Sequence, residues 1–451
     1  MGPVLQKQMT DRNHERVIIG LGKTGVSVAR HFCSRGMPFI VADTRDNPSG
    51  LGAFRQEFPE TRVFSGALSE ELFVDAKQII VSPGVDTRDP AIQSAVAHGA
   101  ECYGDIELFA NANHIPVVAI TGSNGKSTVT QLVTDMACAT GVQAYAGGNI
   151  GRPALEILEC DDAELFVLEL SSFQLESTRL LRTRVSTVLN VSADHMDRHE
   201  TIERYSGIKA KIYSHAACSV INRDDKYVTK MKTSGVVTEF GMGPPVGQGF
   251  GLLHQGSRAF LAKNDQCLFP ADELAIQGES GILNALAALA IGDVLGLSME
   301  KMLLTLASFK GLPHRLSWVG KFQGVAWYND SKGTNIGATV TSLRSLKSNI
   351  VLLAGGVFKG GNLDHFRAAV AKHAKHVILL GQDAGLLQEA LHDATQIHSV
   401  DSMRDAVIRA QHLSVAGDKV LLSPACSSFD MYEDYSERGK DFENCVRELA
   451  K

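Results

Sequence analysis

Residues 117–128 read VVAITGSNGKST, and this segment carries the strongest local signal in the chain. The apolar run at 117–120 has the length and composition of a buried strand, glycines follow it, and a helix is expected to begin about Ser127. A strand, a glycine-rich loop and a helix in this order form a cradle for phosphate, because backbone N–H groups at the helix N-terminus point towards the anion. The segment therefore predicts a parallel α/β sheet with a nucleotide phosphate at its carboxyl edge.

The loop is a variant of the phosphate-binding loop of nucleoside triphosphatases. Lys126 would neutralise phosphate charge, and the Ser127 hydroxyl would ligate Mg²⁺. Ile120 occupies the position of the first glycine in the strict motif, so a turn without a ligand stays open as the alternative. The candidate ATP-binding residues of the loop are Gly122, Ser123, Asn124, Gly125, Lys126, Ser127 and Thr128.

Short apolar runs alternate with longer amphipathic stretches on both sides of this loop. This alternation is typical of parallel sheets with crossover helices, and its restart near residue 350 predicts a third sheet. The pattern breaks near Gly104 and again at 311–313, where Gly and Pro interrupt it. We therefore expect an α/β protein with three domains, 1–104, 105–311 and 312–451. The Gly- and Pro-rich segment 241–256 also predicts a small antiparallel sheet in the central domain.

Size and composition agree with ordinary globular domains. The 451 residues are 44% hydrophobic and 21% charged, and the formal net charge is −6. This mild acidity argues against a protein that coats nucleic acid or an anionic membrane. The longest apolar run, 282–297, is interrupted by Asn284 and Asp293, which predicts a buried helix and no membrane span.

The chain is expected to be cytoplasmic. Residues 1–16 are polar and lack the apolar stretch and cleavage site of an export signal. The eight cysteines are scattered without a Cys-x-x-Cys pair, which is typical of reduced thiols and indicates neither a zinc site nor a disulfide framework.

Two further strand ends carry side chains suited to phosphate chemistry. The run at 166–168 ends in Glu169, which resembles the carboxylate that holds the metal ion in such ATPases, although capping the strand is its simpler role. The segment 190–197 sets Asp194 and His195 at another strand end. Because the loop, the acid and the Asp-His pair follow successive strands, we expect them to share one site.

The N-terminal unit contains a second glycine loop with two functional interpretations. The sequence GLGKTG at 20–25 follows a strand and opens a helix, and Asp43 ends the next strand, which matches the dinucleotide fingerprint of a dehydrogenase. The same features suit the diphosphate of a uridine diphosphate sugar, with Lys23 and Thr24 as additional donors. A purely structural role, in which the glycines only allow close packing of helix and strand, also stays open.

Four polar loops in the last third of the chain suggest binding, although each alone could be an ordinary connection. They read GLPHR at 311–315, NDSKGTN at 329–335, GGVFKGG at 355–361 and SPACSSFD at 423–430.

Together these strings resemble the Mur ligase family over nearly the whole chain. The phosphate loop and NVSADH at 190–195 are similar to sequences found throughout that family, whereas GLGKTG, NDSKGTN and SPACSSFD resemble the member that adds D-glutamate. The resemblance implies an N-terminal Rossmann-like domain for a UDP-sugar, a central P-loop ATPase-like domain and a C-terminal Rossmann-like domain for the amino acid. Gly333, Phe429 and Tyr435 depart from the residues expected in that pattern.

The resemblance also implies roles for individual positions. Lys126, His195 and Lys209 would be catalytic, and the family carbamylates the lysine that corresponds to Lys209. Ser127 and Glu169 would hold one Mg²⁺, and His195 and Lys209 would hold a second. The remaining nucleotide contacts would be Asn284, Arg315 and Asp330. The UDP-linked substrate would contact Lys23, Thr24, Asp43, Thr44, Arg45, Ser82 and Asn149. The D-glutamate pocket would contain Thr334, Lys359, Ser428, Phe429 and Tyr435.

The reaction implied by the resemblance is ATP-dependent formation of an amide bond. The γ-phosphoryl group would pass to the alanyl carboxylate of UDP-N-acetylmuramoyl-L-alanine, and the D-glutamate amine would attack the resulting acyl phosphate. Carbamylation of Lys209 requires a neutral amine, so burial is expected to lower the pKa of this lysine. The enzyme is expected to act as a monomer on small molecules, without a nucleic-acid or membrane partner.

Four alternative functions stay open at the level of the sequence. Within the family they are a ligase for another amino acid and a folylpolyglutamate synthetase. An NAD-dependent dehydrogenase would use the first glycine loop but leaves Lys126, Glu169 and His195 unexplained. A non-enzymatic ATP-dependent switch would release phosphate equally well without D-glutamate.

Overall fold

The computed structural model describes residues 15–276 and 278–449, which form three sheets in chain order. The polar N-terminal segment up to residue 14 lies outside the described residues. The N-terminal sheet has five parallel strands in the order β3-β2-β1-β4-β5. Its elements are β1 Arg16–Ile19, α1 Lys23–Ser34, β2 Ile40–Asp43, α2 Leu51–Glu57, β3 Val63–Ser65, β4 Gln78–Val81, α3 Pro90–Ala97 and β5 Glu101–Tyr103, with a 3₁₀ turn at Glu70–Phe73.

The central sheet has nine strands in the order β14-β13-β12-β11-β10-β9-β6-β8-β7. The first half of this domain contains α4 Asp105–Ala112, β6 Val117–Thr121, α5 Lys126–Ala139, β7 Ala144–Gly148, α6 Ala154–Ile157, β8 Leu165–Glu169, α7 Ser172–Glu176, β9 Val185–Val188, α8 Met196–His199 and α9 Ile202–Ala210. The second half contains β10 Cys218–Asn222, β11 Val236–Phe240, β12 Phe250–Gln255, β13 Arg258–Lys263, β14 Gln266–Pro270, α10 Glu279–Val294 and α11 Met299–Ser308. Short 3₁₀ turns lie at Lys211–Tyr213, Val228–Lys230 and Ala271–Glu273.

The predicted antiparallel strands occupy residues 250–270. β12, β13 and β14 form an antiparallel meander, and β12 joins β11 through the single pair Phe240 and Phe250. The meander therefore extends the central sheet at one edge. Residues 241–249, the first part of the segment in which the hairpins were expected, form the loop that leads into it.

The C-terminal sheet has six strands in the order β15-β16-β20-β17-β18-β19, and only the edge pair of β15 and β16 is antiparallel among the described strands. Its elements are β15 Ser317–Phe322, β16 Val325–Asn329, α12 Ile336–Leu346, β17 Ile350–Ala354, α13 Leu363–His373, β18 Ala374–Leu379, α14 Ala384–Leu391, β19 Gln396–Ser399, α15 Met403–Leu413, β20 Lys419–Leu422 and α16 Tyr435–Glu448. The three sheets of α/β type predicted from the sequence are thus present.

Strand β6 shows why the apolar runs are uninterrupted. All five of its residues are buried, and alternate side chains enter different hydrophobic clusters: Val117 and Ala119 pack on one face, Val118 and Ile120 on the other. A strand covered by helices on both faces has no solvated side, so it loses the polar alternation of a half-exposed strand. The predicted buried helix is α10, which packs on α5 in the second of these clusters.

The sheet order determines where the functional loops lie. β6 lies between β8 and β9 and is parallel to both, so the loops after these three strands emerge side by side. No helix of the described part of the chain has the length and apolar character needed to cross a membrane.

Candidate functional site

The loop after β6 adopts the backbone that a phosphate cradle requires. Gly122 and Gly125 have φ angles of +156° and +87°, and α5 begins at Lys126, one residue before the expected start. A Cβ added to Gly125 would lie 2.4 Å from Oδ1 of Asn284 on α10. Glycine is therefore favoured at this position by both conformation and space, and Asn284, predicted to contact the nucleotide, lies against the loop.

Lys126 is folded back into its own loop. Its Nζ donates hydrogen bonds to the carbonyl oxygens of Gly122 and Ser123 at 2.8 and 3.1 Å. Burial lowers the pKa of Lys126, and the carboxylates of Glu169 and Asp194 oppose that effect. The ammonium group is thus held among carbonyl oxygens beside the helix N-terminus, where a phosphate would be a stronger partner.

Two cations of the C-terminal domain converge on the Ser127 hydroxyl. The hydroxyl is completely buried and accepts hydrogen bonds from Nη2 of Arg315 at 2.9 Å and from Nζ of Lys332 at 2.8 Å. Arg315 was predicted to contact the nucleotide. Lys332 was missed, although it belongs to the NDSKGTN motif at 329–335, because only Asp330 and Thr334 of that motif were assigned roles. Burial, reinforced by the positive charge of Arg315, lowers the pKa of Lys332 to about 7.

Glu169 ends β8 next to this loop and is buried. Its Oε1 accepts a hydrogen bond from Nδ2 of Asn149 at 2.8 Å, whereas its Oε2 is buried without a hydrogen-bond partner among the described residues. Burial alone would raise the pKa of Glu169, but Lys126 and Lys332 outweigh it and hold the pKa below its usual value. Glu169 is therefore an ionised carboxylate with one free oxygen. Asn149, predicted to approach the sugar substrate, is thus hydrogen-bonded to this acid.

The Asp194-His195 pair lies beside the loop and contacts the C-terminal domain. Asp194 pairs with Nζ of Lys359 at 2.9 Å and accepts a hydrogen bond from Nδ2 of Asn335 at 2.9 Å. His195 adopts a left-handed φ of +56°, and its Nε2 lies 3.7 Å from Oδ1 of Asp194. Burial lowers the pKa of His195 to about 4, so the imidazole is neutral near pH 7 and can act as a ligand. Asn335 was not assigned a role from the sequence.

Lys209 is buried beneath the phosphate loop. Its Nζ donates hydrogen bonds to Gly122 O at 3.0 Å and to Oγ1 of Thr121 at 3.3 Å, and it lies 4.5 Å from the centre of the Tyr205 ring. Burial, followed by repulsion from Lys126, brings the pKa of Lys209 well below its ordinary value. The expectation that burial lowers this pKa is confirmed.

The N-terminal glycine loop is closed by Asp43. Oδ2 of Asp43 accepts a hydrogen bond from Leu21 N at 2.7 Å, and both of its oxygens bind the Arg45 guanidinium. A Cβ on Gly25 would lie 1.8 Å from Gly20 O, so the start of α1 packs directly on the loop. Lys23 and Thr44 are exposed and Thr24 is half-buried. These positions are free to meet a ligand, whereas the Asp43 carboxylate is occupied by the chain itself.

A cavity of about 170 Å³ lies where the N-terminal and central domains meet. Ser82 lines it from the N-terminal side, and Phe173 and Arg198 line it from the central side. The Phe173 ring also contacts the His195 ring, with 4.9 Å between the ring centres. The Phe173 ring therefore lies between the wall of this cavity and His195.

The positions predicted for D-glutamate are only partly assembled. Nζ of Lys359 donates to Oγ1 of Thr334 at 3.3 Å, and the Tyr435 ring lies 4.9 Å from Nζ of Lys332. Ser428 is buried, but Phe429 is 74% exposed and contributes no packing to this pocket.

Asp330, predicted to contact the nucleotide, is engaged within the C-terminal domain. Its carboxylate accepts hydrogen bonds from Oγ of Ser342 at 2.6 Å, Oγ of Ser423 at 2.7 Å and Leu316 N at 3.2 Å. Burial raises the pKa of Asp330 to about 6, and the serine hydroxyls partly oppose this effect. In this arrangement Asp330 holds the loop that carries Lys332.

Three protein-family models match the chain in sequence order. Residues 14–104 match "Mur ligase MurD-like, N-terminal domain", residues 120–292 match "Mur ligase middle domain", and residues 314–426 match "Mur ligase, glutamate ligase domain". Together these matches cover most of the chain.

Curated relatives are similar over nearly their whole length. A UDP-N-acetylmuramoylalanine–D-glutamate ligase of Pseudomonas savastanoi pv. phaseolicola is 45% identical over 440 residues, which cover 96% of this chain and 98% of the relative. The enzyme of the same name from Pseudomonas aeruginosa is 45% identical over 443 residues, with 97% and 99% covered.

Solved structures share the fold at lower identity. The UDP-N-acetylmuramate-alanine ligase MurC of Thermotoga maritima has a TM-score of 0.63 at 18% identity, and the match covers 96% of this chain and 99% of that one. A pseudomurein peptide ligase type C of Methanothermus fervidus has a TM-score of 0.62 at 16% identity, with 97% and 100% covered.

Proposed function

We propose the function from the premise that this chain belongs to the Mur ligase family. It is an ATP-dependent ligase that adds D-glutamate to UDP-N-acetylmuramoyl-L-alanine in peptidoglycan precursor synthesis, releasing ADP and phosphate. The 45% identity to ligases named for this reaction, over 96% of the chain, supports the substrate pair. The observation that carries the mechanism is the convergence of Arg315 and Lys332 on Ser127 of the phosphate loop.

The chemistry requires activation of a poor electrophile. A free carboxylate does not react with an amine in water, because hydroxide or oxide is a poor leaving group. In the first step the alanyl carboxylate oxygen attacks the γ-phosphorus of ATP, the bond to the bridging oxygen breaks and ADP leaves. In the second step the neutral D-glutamate amine attacks the acyl carbon, phosphate leaves with the bonding pair, and the nitrogen loses a proton. Two anions meet in the first step, so positive charge must surround the transferring group.

The phosphate loop and the C-terminal domain supply that charge. Lys126 would bind the phosphates from within the loop. Arg315 and Lys332 reach the same loop from the C-terminal domain and donate hydrogen bonds to Ser127 in this structure. These donors already lie beside the phosphate loop, so stabilising the transferring charge requires only that they turn from Ser127 to the phosphates. Asn284 and residues 122–128 position the nucleotide.

The residues present suit Mg²⁺. Glu169 offers an ionised, buried oxygen that accepts no hydrogen bond from the described residues, and Ser127 offers a hydroxyl at the start of the adjoining helix. We infer that these two hold one ion, and that neutral His195 and carbamylated Lys209 hold a second. Bound Mg²⁺ would neutralise charge on the phosphoryl oxygens.

Carbamylation of Lys209 has a direct chemical test. A neutral amine adds CO₂ and becomes an anion, which reverses the charge at this position. The Lys209→Ala variant is expected to lose most activity and to regain part of it with a short carboxylic acid in the buffer. Lys211→Ala, a nearby exposed lysine on the surface, is the control. Unchanged turnover of Lys209→Ala, or equal effects of the acid on both variants, would refute the assignment.

We propose binding sites for the other two substrates from the contacts predicted for them. Lys23, Thr24, Thr44, Arg45, Ser82 and Asn149 would bind the UDP-linked substrate, with Asp43 holding the loop in shape. Thr334, Lys359, Ser428 and Tyr435 would bind D-glutamate, with Phe429 at the rim. The cavity lined by Ser82 and Phe173 lies between the N-terminal and central domains, and Phe173 also contacts His195.

We propose domain boundaries at residues 104 and 311, because the strands on either side of each position belong to different sheets. We also propose that the enzyme works as a monomer in the cytoplasm. One chain supplies both Ser127 and the two cations that meet it, and the nucleotide substrates of the reaction are cytoplasmic metabolites. Light scattering during gel filtration at micromolar concentration should give the mass of a single chain.

The decisive assay measures phosphate release with ATP, Mg²⁺ and UDP-N-acetylmuramoyl-L-alanine. D-Glutamate should give rapid turnover, whereas L-glutamate, L-alanine and meso-diaminopimelate should give little. Faster turnover with another amino acid would reassign the substrate, and phosphate release that does not depend on any amino acid would refute the ligase function.

A further inference from the structure

A cavity of about 640 Å³ lies at the amino edge of the central sheet, opposite the phosphate loop. It is lined by Val117, the first residue of β6, by Arg184, which precedes β9, and by the end of α4. The carboxyl ends of β6 and β9 lead to the nucleotide site. Because β6 has five residues at about 3.3 Å each, the two sites lie roughly 17 Å apart.

The charged side chains that line this cavity are all positive. Arg182 and Arg184 line it and make neither an ion pair nor a side-chain hydrogen bond with any residue that the structure describes, and His114 lies beside them equally unpartnered. None of the described residues that line the cavity is acidic. Elsewhere in the described chain, arginines such as Arg30 and Arg88 are paired with glutamate or aspartate. The unpaired guanidinium groups therefore concentrate positive potential in a concave surface of an acidic protein.

A second cavity of about 240 Å³ adjoins the first, and Leu181 lines both. Arg179, Lys211 and His215 are its basic lining residues, and again no carboxylate lines it within residues 15–276 and 278–449. The segment 178–184 thus carries three arginines between two cavities that hold no counter-charge.

We propose that the larger cavity binds a phosphorylated small molecule. Arginine guanidinium groups bind phosphate oxygens in pairs, and two of them at Arg182 and Arg184 suit a diphosphate or triphosphate. Part of the remaining wall is apolar, formed by Ile115, Pro116 and Leu181, and accommodates an organic group attached to the phosphates. The volume falls within the range of about 300–1,000 Å³ typical of small-molecule sites, which favours a discrete ligand over an extended polyanion.

The proposal predicts one phosphate-binding event outside the nucleotide site. Inorganic tripolyphosphate is titrated calorimetrically into the full-length protein, with Mg²⁺, a non-hydrolysable ATP analogue and UDP present at saturation, so that the phosphate loop and the proposed site for the UDP-linked substrate are both filled. Wild type should bind one tripolyphosphate. The double variant Arg182→Glu/Arg184→Glu should bind it more than about tenfold more weakly, because it replaces both guanidinium groups with repelling carboxylates.

Arg409→Glu is the matched control, because Arg409 is an exposed arginine on α15 that lines neither cavity. It should bind tripolyphosphate as wild type does. Equal weakening in the control, several equivalent weak sites in wild type, or no binding in wild type would overturn the proposal. Melting temperatures and ligase turnover of the double variant should match wild type, which separates a lost site from a damaged fold.

A second measurement separates the source of the phosphate. Vesicles of neutral phospholipid with and without an anionic phospholipid are sedimented with wild type and the double variant. Wild type should remain in solution with both. Co-sedimentation that needs the anionic lipid and Arg182 and Arg184, without tripolyphosphate binding, would replace the small-molecule proposal with a membrane surface.

Discussion

Lys332 extends the list of residues expected to act on the phosphoryl group. Its Nζ lies 2.8 Å from the Ser127 hydroxyl and balances part of the negative charge of Glu169. We predict that Lys332→Met lowers kcat by roughly 10²-fold with a smaller change in KM, because one preorganised donor to the transferring charge is lost. Initial rates of phosphate release check this. Lys332→Arg should retain more activity than Lys332→Met, and exposed Lys372→Met should have no effect. A kcat of Lys332→Met within about twofold of wild type would contradict the role.

Asp330 should make the stability of the C-terminal domain depend on pH. Its pKa is raised from 3.8 to about 6. Below pH 3.8 the Asp330 carboxyl is protonated in both the folded and the unfolded protein. Between pH 3.8 and about 6 it ionises only in the unfolded protein, so the free energy of unfolding falls as pH rises. Above about pH 6 this free energy stays lower, by about 3 kcal/mol in total.

The measurement compares wild type with Asp330→Asn in urea between pH 3.5 and pH 7.5, a range of about four units that spans both values. Tryptophan fluorescence reports the relevant domain, because both tryptophans of the chain, Trp318 and Trp327, lie in β15 and β16. The free energy of unfolding of wild type, relative to that of Asp330→Asn, should decrease as pH rises. Exposed Asp265→Asn should show no such trend, and a constant difference for Asp330→Asn would contradict the raised pKa.

The absence of a side chain at Gly25 allows helix α1 to pack directly on the N-terminal glycine loop. We predict that Gly25→Ala lowers the free energy of unfolding by more than about 2 kcal/mol, because its Cβ would lie 1.8 Å from the Gly20 carbonyl oxygen. Gly52→Ala is the matched control: it also lies in a helix, no atom would lie within 4 Å of its Cβ, and it should raise stability by about 0.5–1 kcal/mol. Thermal unfolding distinguishes the two. Similar melting temperatures would show that the loop yields to the methyl group.

Element type and order were predictable because buried parallel strands lack polar alternation. The runs at 117–120 and 166–168 lie within β6 and β8, and the helix after the phosphate loop begins within one residue of its expected start. The antiparallel meander was harder to place. Residues 241–249 have the Gly and Pro content of hairpins but form a loop, since the paired strands follow at 250–270. Composition identifies a turn-rich region but does not determine where the strands begin: β12, β13 and β14 pair with their sequence neighbours through tight turns at 256–257 and 264–265.

Closure of the C-terminal domain depends on a few polar contacts. Asn335 caps α12 through Oδ1, which accepts from Ala338 N, and donates through Nδ2 to Asp194. We predict that Asn335→Asp keeps the cap, since Asp is a good N-cap residue, but places a second carboxylate against Asp194 at a cost on the order of a few kcal/mol. Small-angle scattering should show a larger radius of gyration, and turnover should fall. The same change at exposed Asn349 should alter neither, and an unchanged radius for Asn335→Asp would show that other contacts hold the domain.

The candidate site was predictable where one motif contains the whole function. Residues 122–128, Glu169 and His195 follow adjacent strands, so sheet topology alone brings them together. Lys332 and Asn335 escaped assignment because their partners, Ser127 and Asp194, lie 205 and 141 residues away in another domain. The hydrogen bonds that Asp43 and Asp330 accept within the chain were not predicted, for a related reason. A buried carboxylate and a ligand-binding carboxylate look alike in sequence, and only the surrounding donors distinguish them.

The arrangement around Ser127 also bears on how much ATP is lost to hydrolysis without ligation. Neither half of the molecule alone presents a complete set of charges to the terminal phosphate of ATP, since Lys126 belongs to one half and Arg315 and Lys332 to the other. With the two halves separated, a water molecule at the triphosphate would meet an incomplete set of charges. The division of these charges between two halves would therefore limit hydrolysis of ATP until both acceptors are bound.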